Sequence, residues 1–179
     1  KLGKVAWSPD SKNLALLIGG DRHDPYPGRL TVASAQGGGF KDLLPKLEAH
    51  VMIVAWRNSN TLIYTTAIGV QTTIESIALD GTQRTVHVGP KGPIFSGLSL
   101  SSDGNVAAIL GHAPTHPQEL FTYNVGDAAP KRRTTVNPWL SKVTLGKQES
   151  VRYKARDGLE IEGLLIHPVA RKKNERVPM

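Results

Sequence analysis

The chain has 179 residues, of which 39% are hydrophobic and 21% charged, with 18 glycines, 12 prolines and no cysteine. This composition excludes a disordered chain, disulfides, thiolate metal ligands and a cysteine nucleophile. No apolar run approaches the roughly 20 residues of a membrane-spanning helix.

The net charge of +7 is concentrated at one end of the chain. Residues 1–130 hold ten basic and ten acidic side chains, whereas residues 131–179 hold twelve basic and five acidic ones. The basic stretches 131–133 and 171–173 lie in turn-like or terminal sequence, without a candidate recognition helix. We therefore expect a solvated or domain-facing surface, and no binding to nucleic acid or membrane.

Three similar segments, 5–16, 54–64 and 98–109, organise the chain. Each consists of an alternating apolar run, a polar turn and a second apolar run. The repeat is 49 residues from Trp7 to Trp56 and 44 from Trp56 to Leu100, the length of a four-stranded propeller blade. Because these three residues share one repeat position, we expect them to pack between blades.

Turn chemistry supports this repeat. Pro9 and Asp10 suit the centre of the first turn, and Gly104 closes the third. In the second turn, Asn58 and Asn60 are expected to adopt left-handed backbone.

A third alternating strand and a short polar fourth strand are expected in each repeat. The third strands are expected at 29–35, 72–79 and 119–124, and the fourth near 40–44, 84–88 and 131–135. No sustained 3.6-residue period occurs, so helix should be nearly absent.

The last segment departs from the repeat. Residues 137–147 suggest a connector, and two alternating runs, 149–156 and 159–166, flank Asp157-Gly158, a strong hairpin signal. We predict an all-β chain with about three blades (1–48, 49–92 and 93–136), the connector, and a hairpin in 148–179.

Several motifs together resemble the prolyl oligopeptidase family of serine peptidases, in its acylaminoacyl-peptidase and dipeptidyl-peptidase-like branch. They are Trp-Ser-Pro-Asp at 7–10, Pro-Gln-Glu-Leu-Phe at 117–121, and Tyr153 with Asp157-Gly158 and Ile-His-Pro at 166–168. The resemblance implies a propeller of seven or eight blades followed by an α/β-hydrolase domain that the hairpin begins. We therefore expect both ends, Lys1 and Met179, to be cuts, and residues 148–179 to be the truncated start of that domain.

No catalytic, cofactor-binding or metal-binding residue is expected in this chain. It has no Gly-x-Ser-x-Gly motif, and Ser96-Gly97-Leu98-Ser99 falls in a blade strand. His112 and His116 have zinc-like spacing, but Pro114 and Pro117 forbid a helix, so we expect a loop whose imidazoles share no face.

Other single features are expected to be structural. His23, Asp24 and His50 are interpreted as loop residues. Residues 37–39 and 89–93 are interpreted as a turn and a blade connector, since neither opens a helix that could bind phosphate.

Two functions remain open. The chain is expected to be a non-catalytic propeller fragment of a serine exo- or oligopeptidase, which gates peptide access to an active site in a missing C-terminal domain. The alternative is a TolB-like propeller that binds a protein or peptide. Exposed blade faces also suggest self-association, and the sequence does not choose between cytoplasm and periplasm.

Overall fold

The computed structural model describes residues 2–20 and 26–170, which form three four-stranded sheets and a hairpin. Within each sheet the strands are antiparallel and follow chain order. Blade 1 contains β1 (Leu2–Trp7), β2 (Asn13–Gly19), β3 (Gly28–Ser34) and β4 (Lys41–Asp42). Blade 2 contains β5 (His50–Asn58), β6 (Thr61–Ile68), β7 (Gln71–Ala78) and β8 (Thr85–Val88). Blade 3 contains β9 (Ile94–Leu100), β10 (Val106–Ala113), β11 (His116–Asn124) and β12 (Lys131–Arg132).

The blades are followed by a short 3-10 helix, Pro138–Lys142, and the hairpin β13 (Gln148–Lys154) and β14 (Glu160–Ile166). The predicted fold class, an all-β partial propeller of three blades and a hairpin, is confirmed. In the part of the chain that the structure describes, no helix has the length and apolarity needed to span a membrane.

The first turns of blades 1 and 3 use the same side-chain hydrogen bonds. Ser8 Oγ donates to Asp10 Oδ1 over 2.6 Å and accepts from the Asn13 amide over 2.9 Å. In blade 3, Ser101 and Asp103 repeat this arrangement. Local Ser and Asp hydrogen bonds of this kind stabilise turns, which explains why the two sequences bring their strands into the same hairpin.

The corresponding turn of blade 2 is built differently. Neither Asn58 nor Asn60 has a positive φ, so the predicted left-handed backbone is wrong. Instead the Asn58 side chain accepts the Asn60 amide over 2.9 Å, and a register irregularity between Trp56 and Asn58 shortens the turn. An Asx hydrogen bond thus replaces the left-handed residue.

The core lies between the blades in two layers. The residues of the first layer come from blades 1 and 2, and those of the second from blades 2 and 3. The first includes Ala15, Leu17, Leu30, Val32, Val54, Trp56, Leu62, Tyr64 and Ile77. The second includes Ile63, Ile74, Phe95, Ala107, Ile109, Phe121 and Tyr123. Alternate residues of the blade 2 strands therefore contact opposite neighbours.

The three residues at the predicted packing position have different environments. Trp56 is 9% exposed, and its Nε1 donates to the Ala6 carbonyl of blade 1 over 2.9 Å. Leu100 packs against the second layer. Trp7, however, is 58% exposed, so its prediction as a core residue is wrong. Its face of blade 1 points away from blade 2, and no sheet among the described residues covers it.

The hairpin has the predicted turn. Its strands pair from Gln148 opposite Ile166 to Lys154 opposite Glu160. The Leu159 amide donates to Asp157 Oδ1 over 3.0 Å, and Gly158 has a φ of 88°. Glycine adopts this left-handed conformation without the steric cost of a side chain.

Candidate functional site

Three cavities open at the same end of the blades. This end carries the turns between the second and third strands, and, because the strands are antiparallel, it also carries the connectors from one blade to the next. The β6–β7 turn at Gly69, the β8–β9 connector at Pro90 and the β10–β11 turn at Pro114 all contribute. This end is the candidate functional site.

The best-defined cavity, of about 350 Å³, lies between blades 2 and 3 and the hairpin. Apolar side chains and a few polar ones share its lining, a mixture typical of ligand pockets. The lining residues are Val70, Gln71, Pro90, Lys91, Gly92, Ile94, His112, Ala113, Pro114, Gln148, Glu149, Ser150 and Leu164.

Glu162 of β14 joins the hairpin to blade 2. Its Oε2 accepts the Val70 amide over 3.3 Å, while its Oε1 accepts Ser150 Oγ over 2.7 Å. The Ser150 hydrogen bond, the largest effect, outweighs partial desolvation and holds the pKa of Glu162 below its usual value. We call this arrangement the Glu162 latch.

Gly69 makes room for the latch. A β-carbon at this position would lie 1.8 Å from Glu162 Oε2, and the φ of Gly69 is 54°. A side chain here would therefore meet both a steric clash and left-handed strain. The sequence analysis did not single out Gly69 or Glu162, because nothing in sequence spacing links residues 93 positions apart.

His112 and His116 border a second cavity of about 420 Å³, which Leu140 and Leu145 of the connector also line. They lie in β10 and β11 on either side of a two-residue turn, not in a loop as expected. Both residues border this cavity, and the His116 ring also lies 6.0 Å from the ring of Phe121. His116 Nδ1 donates to the Pro117 carbonyl over 2.7 Å, so this nitrogen serves the local backbone.

The other residues interpreted in the sequence analysis lie in strands, in connecting segments or outside the described residues. His50 begins β5, not a loop, and its Nδ1 accepts the Gly28 amide over 2.9 Å. Residues 37–39 join β3 to β4, residues 89–93 join β8 to β9, and residues 96–99 lie within β9. His23, Asp24 and the basic stretch 171–173 lie outside the described residues.

Chemistry at the candidate site is that of hydrogen bonding and ion pairing. His167 Nε2 lies 3.0 Å from Glu149 Oε1, and this contact is the main cause that lowers the pKa of Glu149. Within residues 2–20 and 26–170, no three His, Cys, Asp or Glu side chains lie close enough together to hold a metal ion. The arrangement can bind polar and apolar groups of a ligand.

Two buried glutamates support the blades, and sequence reasoning missed both. Glu75, 2% exposed, accepts hydrogen bonds from Tyr64, Thr73 and Arg84 at 2.9, 2.7 and 2.7 Å. Burial, the largest single effect, raises its pKa, but the three donors together outweigh burial and hold the pKa below its usual value. Burial beside this carboxylate also raises the pKa of the Tyr64 hydroxyl.

Glu119 plays a similar part in blade 3. It accepts hydrogen bonds from Arg132, Thr134 and the Val136 amide. The carboxylate thereby ties the end of the blade to the connector. An isolated glutamate in an otherwise alternating third strand was the only sequence signal for either network.

Several solved protein structures are similar to this architecture. The chain is similar to Pyrococcus horikoshii acylaminoacyl peptidase, with 18% identity, a TM-score of 0.69, and 94% of this chain and 25% of that chain covered. It is similar to an acylaminoacyl peptidase in complex with Z-Gly-Gly-Phe-chloromethyl ketone, at 20% identity and a TM-score of 0.70 with the same coverage. The chain thus spans about a quarter of the length of these proteins.

A chain of the nidogen/laminin complex is also similar, with 16% identity, a TM-score of 0.60, and coverage of 76% of this chain and 49% of that chain. No protein-family model and no curated protein matches the sequence. At the level of the fold, the predicted resemblance to acylaminoacyl peptidases of the prolyl oligopeptidase family is confirmed.

Proposed function

We propose that this chain is the propeller-side part of a serine peptidase of the prolyl oligopeptidase family and limits which peptides reach an active site formed by other residues. The observation that carries the proposal is the hairpin that follows blade 3 and is held by the Glu162 latch at the cavity-bearing end. A propeller acting alone as a binding module has no need of such a hairpin.

The extent of the structural similarity supports this reading of the hairpin. The three blades end near residue 136, so a match to 94% of the chain has to include part of the connector and hairpin. The match of 76% to the nidogen/laminin complex does not require them. This coverage supports the proposal that the peptidases share the order of blades and hairpin.

In the proposed mechanism the blades contribute a wall and no nucleophile. A hydrolase domain continuing from β14 would begin at the end where the cavities open, because Glu162 fixes that strand there. Peptides would then reach the nucleophile only through the space between blades and hairpin, and short chains would pass more readily than folded proteins.

The first experiment is to isolate the native gene product, determine its intact mass, and treat it with a fluorophosphonate probe. We expect a mass far above 19.3 kDa and one labelled serine outside residues 1–179. A native product near 19.3 kDa without label would overturn the peptidase function.

A second experiment tests the gating role in the labelled enzyme. Glu162→Ala removes the latch, so we expect kcat/KM for a peptide of about ten residues to rise several-fold relative to that for a dipeptide substrate. Glu160→Ala is the matched control, because Glu160 lies on the same strand and is 59% exposed. Equal ratios in the two variants would contradict gating through the latch.

The second candidate, a propeller module that binds a protein or peptide, is favoured by the similarity to a chain of the nidogen/laminin complex. Its binding surface would be the mixed lining of the 350 Å³ cavity. An unlabelled native protein whose peptide binding is lost in a Leu164→Glu variant would support this candidate over the peptidase.

A further inference from the structure

The cavity of about 350 Å³ carries a lysine that is not engaged in an ion pair. Lys91 lies in the connector between β8 and β9 and lines this cavity. The ion pairs formed among the described residues do not include it. A lysine ammonium is a compact charge with three hydrogen-bond donors and no acceptor. The cavity therefore offers a positive charge to a ligand.

Two carboxylates at this cavity are already engaged by other groups. Glu149 lines the cavity, and its Oε1 lies 3.0 Å from His167 Nε2 while its Oε2 lies 3.5 Å from Lys147 Nζ. Glu162, the carboxylate of the latch, has its Oε1 3.8 Å from Arg152 Nε. Because basic groups face both carboxylates, the charge that the cavity presents to a ligand is positive, and it selects an anion.

The rest of the lining suits a small and partly apolar ligand. Ile94 of β9 and Leu164 of β14 line the cavity, and Leu164 is 57% exposed. Half-buried Gln71 and Gln148 add side-chain amides that can donate hydrogen bonds. The volume is near the lower end of the range of about 300–1,000 Å³ for ligand pockets. A single amino-acid derivative or the last residues of a peptide therefore match the space.

We propose that this cavity binds the carboxylate of a small apolar ligand, of the kind that the C-terminal residue of a peptide presents. Lys91 pairs with the carboxylate, and the amides of Gln71 and Gln148 donate hydrogen bonds to it. Leu164 and Ile94 contact the apolar side chain beside it. A phosphate fits less well, because it carries more charge than one lysine neutralises and has no group for the apolar side chains.

This inference names the ligand of the cavity and does not rest on the peptidase function, because residues of this chain form the cavity. Isothermal titration calorimetry on the native gene product tests it. Pretreatment with the fluorophosphonate probe blocks a serine active site, so that such a site does not contribute to the binding measured. N-acetyl-leucine should bind at least about tenfold more tightly than N-acetyl-leucinamide, since hydrogen bonds to a charged group are the stronger ones.

Variants of Lys91 locate the charge. Lys91→Met should weaken the binding of N-acetyl-leucine at least about tenfold and leave that of the amide within about twofold. Lys91→Arg, which keeps the charge, should retain most of the affinity. Lys154→Met is the matched control, because Lys154 is exposed and lies at the turn end of the hairpin, away from Gln148. It should change the affinity less than about twofold.

Four outcomes would overturn the carboxylate site. They are no binding of N-acetyl-leucine, equal affinities for the acid and the amide, an unchanged affinity in Lys91→Met, and tighter binding of inorganic phosphate than of N-acetyl-leucine. The fluorophosphonate label reports separately on the peptidase function, so failure of that function and failure of this site are distinguishable.

A second series tests the apolar half of the site and the source of the carboxylate. Leu164→Ala should weaken the binding of N-acetyl-leucine about fivefold and leave that of N-acetylglycine within about twofold, because only the former places an apolar side chain there. Equal losses for the two ligands would contradict this contact. Octanoate represents a fatty acid, and tighter binding of octanoate than of N-acetyl-leucine would overturn a peptide as the source of the carboxylate.

Discussion

Trp7 and Trp56 occupy the same position in consecutive blades, yet Trp7 is 58% exposed and Trp56 is 9% exposed. Their strands, turns and cross-strand partners are similar: Trp7 lies opposite Leu14, and Trp56 opposite Leu62. The two side chains differ because blade 1 covers the side of blade 2 that carries Trp56, while no described sheet covers the equivalent side of blade 1. Burial in this fold is thus decided by the neighbouring blade as much as by the residue.

The largest expected effect comes from deleting the two tryptophans. Trp56→Ala should lower the free energy of unfolding by about 3–5 kcal/mol, the usual cost of removing a buried aromatic side chain. Trp7→Ala should change it by no more than about 0.5 kcal/mol in dilute solution. Urea titrations measure both values. A Trp56→Ala penalty as small as that of Trp7→Ala would show that the inter-blade layer contributes little to stability.

A smaller effect is expected at the turn residues. Ser11 and Gly104 share a turn position and have similar φ values, 59° and 69°. A β-carbon at Gly104 would lie 2.1 Å from the Arg57 carbonyl of blade 2, while Ser11 is exposed and carries its β-carbon. The covered side of a blade therefore requires glycine where the open side accepts serine.

Gly104→Ala should accordingly cost about 3 kcal/mol, of which roughly 1–2 kcal/mol is left-handed strain and the remainder the backbone clash. Gly126→Ala is the control, since Gly126 has a φ of 111° and no atom near its β-carbon position. It should cost only the strain. Thermal unfolding of the two variants should separate them, and equal penalties would contradict the clash.

These pairs of residues show which features of the fold can be predicted from the sequence. The repeat spacing and the Ser-x-Asp turns are local, so the strands of all three blades could be predicted. The exposure of Trp7 and the Asx hydrogen bond of Asn58 could not, because each depends on a neighbouring blade or on a register shift. The Glu162 latch joins two segments that are distant in sequence. The local sequence pattern around either segment does not predict its contact with the other.

The ion pairs between third and fourth strands also differ between blades 1 and 2. Glu75, 2% exposed, pairs with Arg84 on the covered face of blade 2, whereas Asp42, 33% exposed, pairs with Arg29 on the open side of blade 1. Glu75→Gln should cost about 2 kcal/mol at pH 7, because hydrogen bonds to a buried charge are among the stronger ones. Asp42→Asn should cost less than about 1 kcal/mol, as more exposed pairs do.

The penalty of Glu75→Gln should depend on pH. Because the folded-state pKa of Glu75 lies below its ordinary value of 4.5, its stabilisation is present above that value and is lost as pH falls through the folded-state pKa. The difference between wild type and Glu75→Gln should therefore shrink below about pH 4.5. A difference independent of pH from 7 to 3 would contradict an ionised Glu75. Denaturant titrations at several pH values provide the measurement.

The smallest effect is expected at two buried hydroxyls that lack a hydrogen-bond partner, Thr31 Oγ1 and Thr65 Oγ1. Thr65 lies on the same face of blade 2 as Ile63 and Ile74, which pack on blade 3, whereas Thr31 lies on the open side of blade 1. Replacing an unpaired buried hydroxyl by a methyl group removes its desolvation cost.

Thr65→Val should therefore raise the free energy of unfolding by about 1 kcal/mol, and Thr31→Val by less, since water reaches an uncovered face through small fluctuations. Thr66→Val provides the opposite sign, because Thr66 Oγ1 is hydrogen-bonded to Thr73 over 2.6 Å beside Glu75. Equal stabilisation by Thr31→Val and Thr65→Val would contradict the expected difference between the open side of blade 1 and the inter-blade layer.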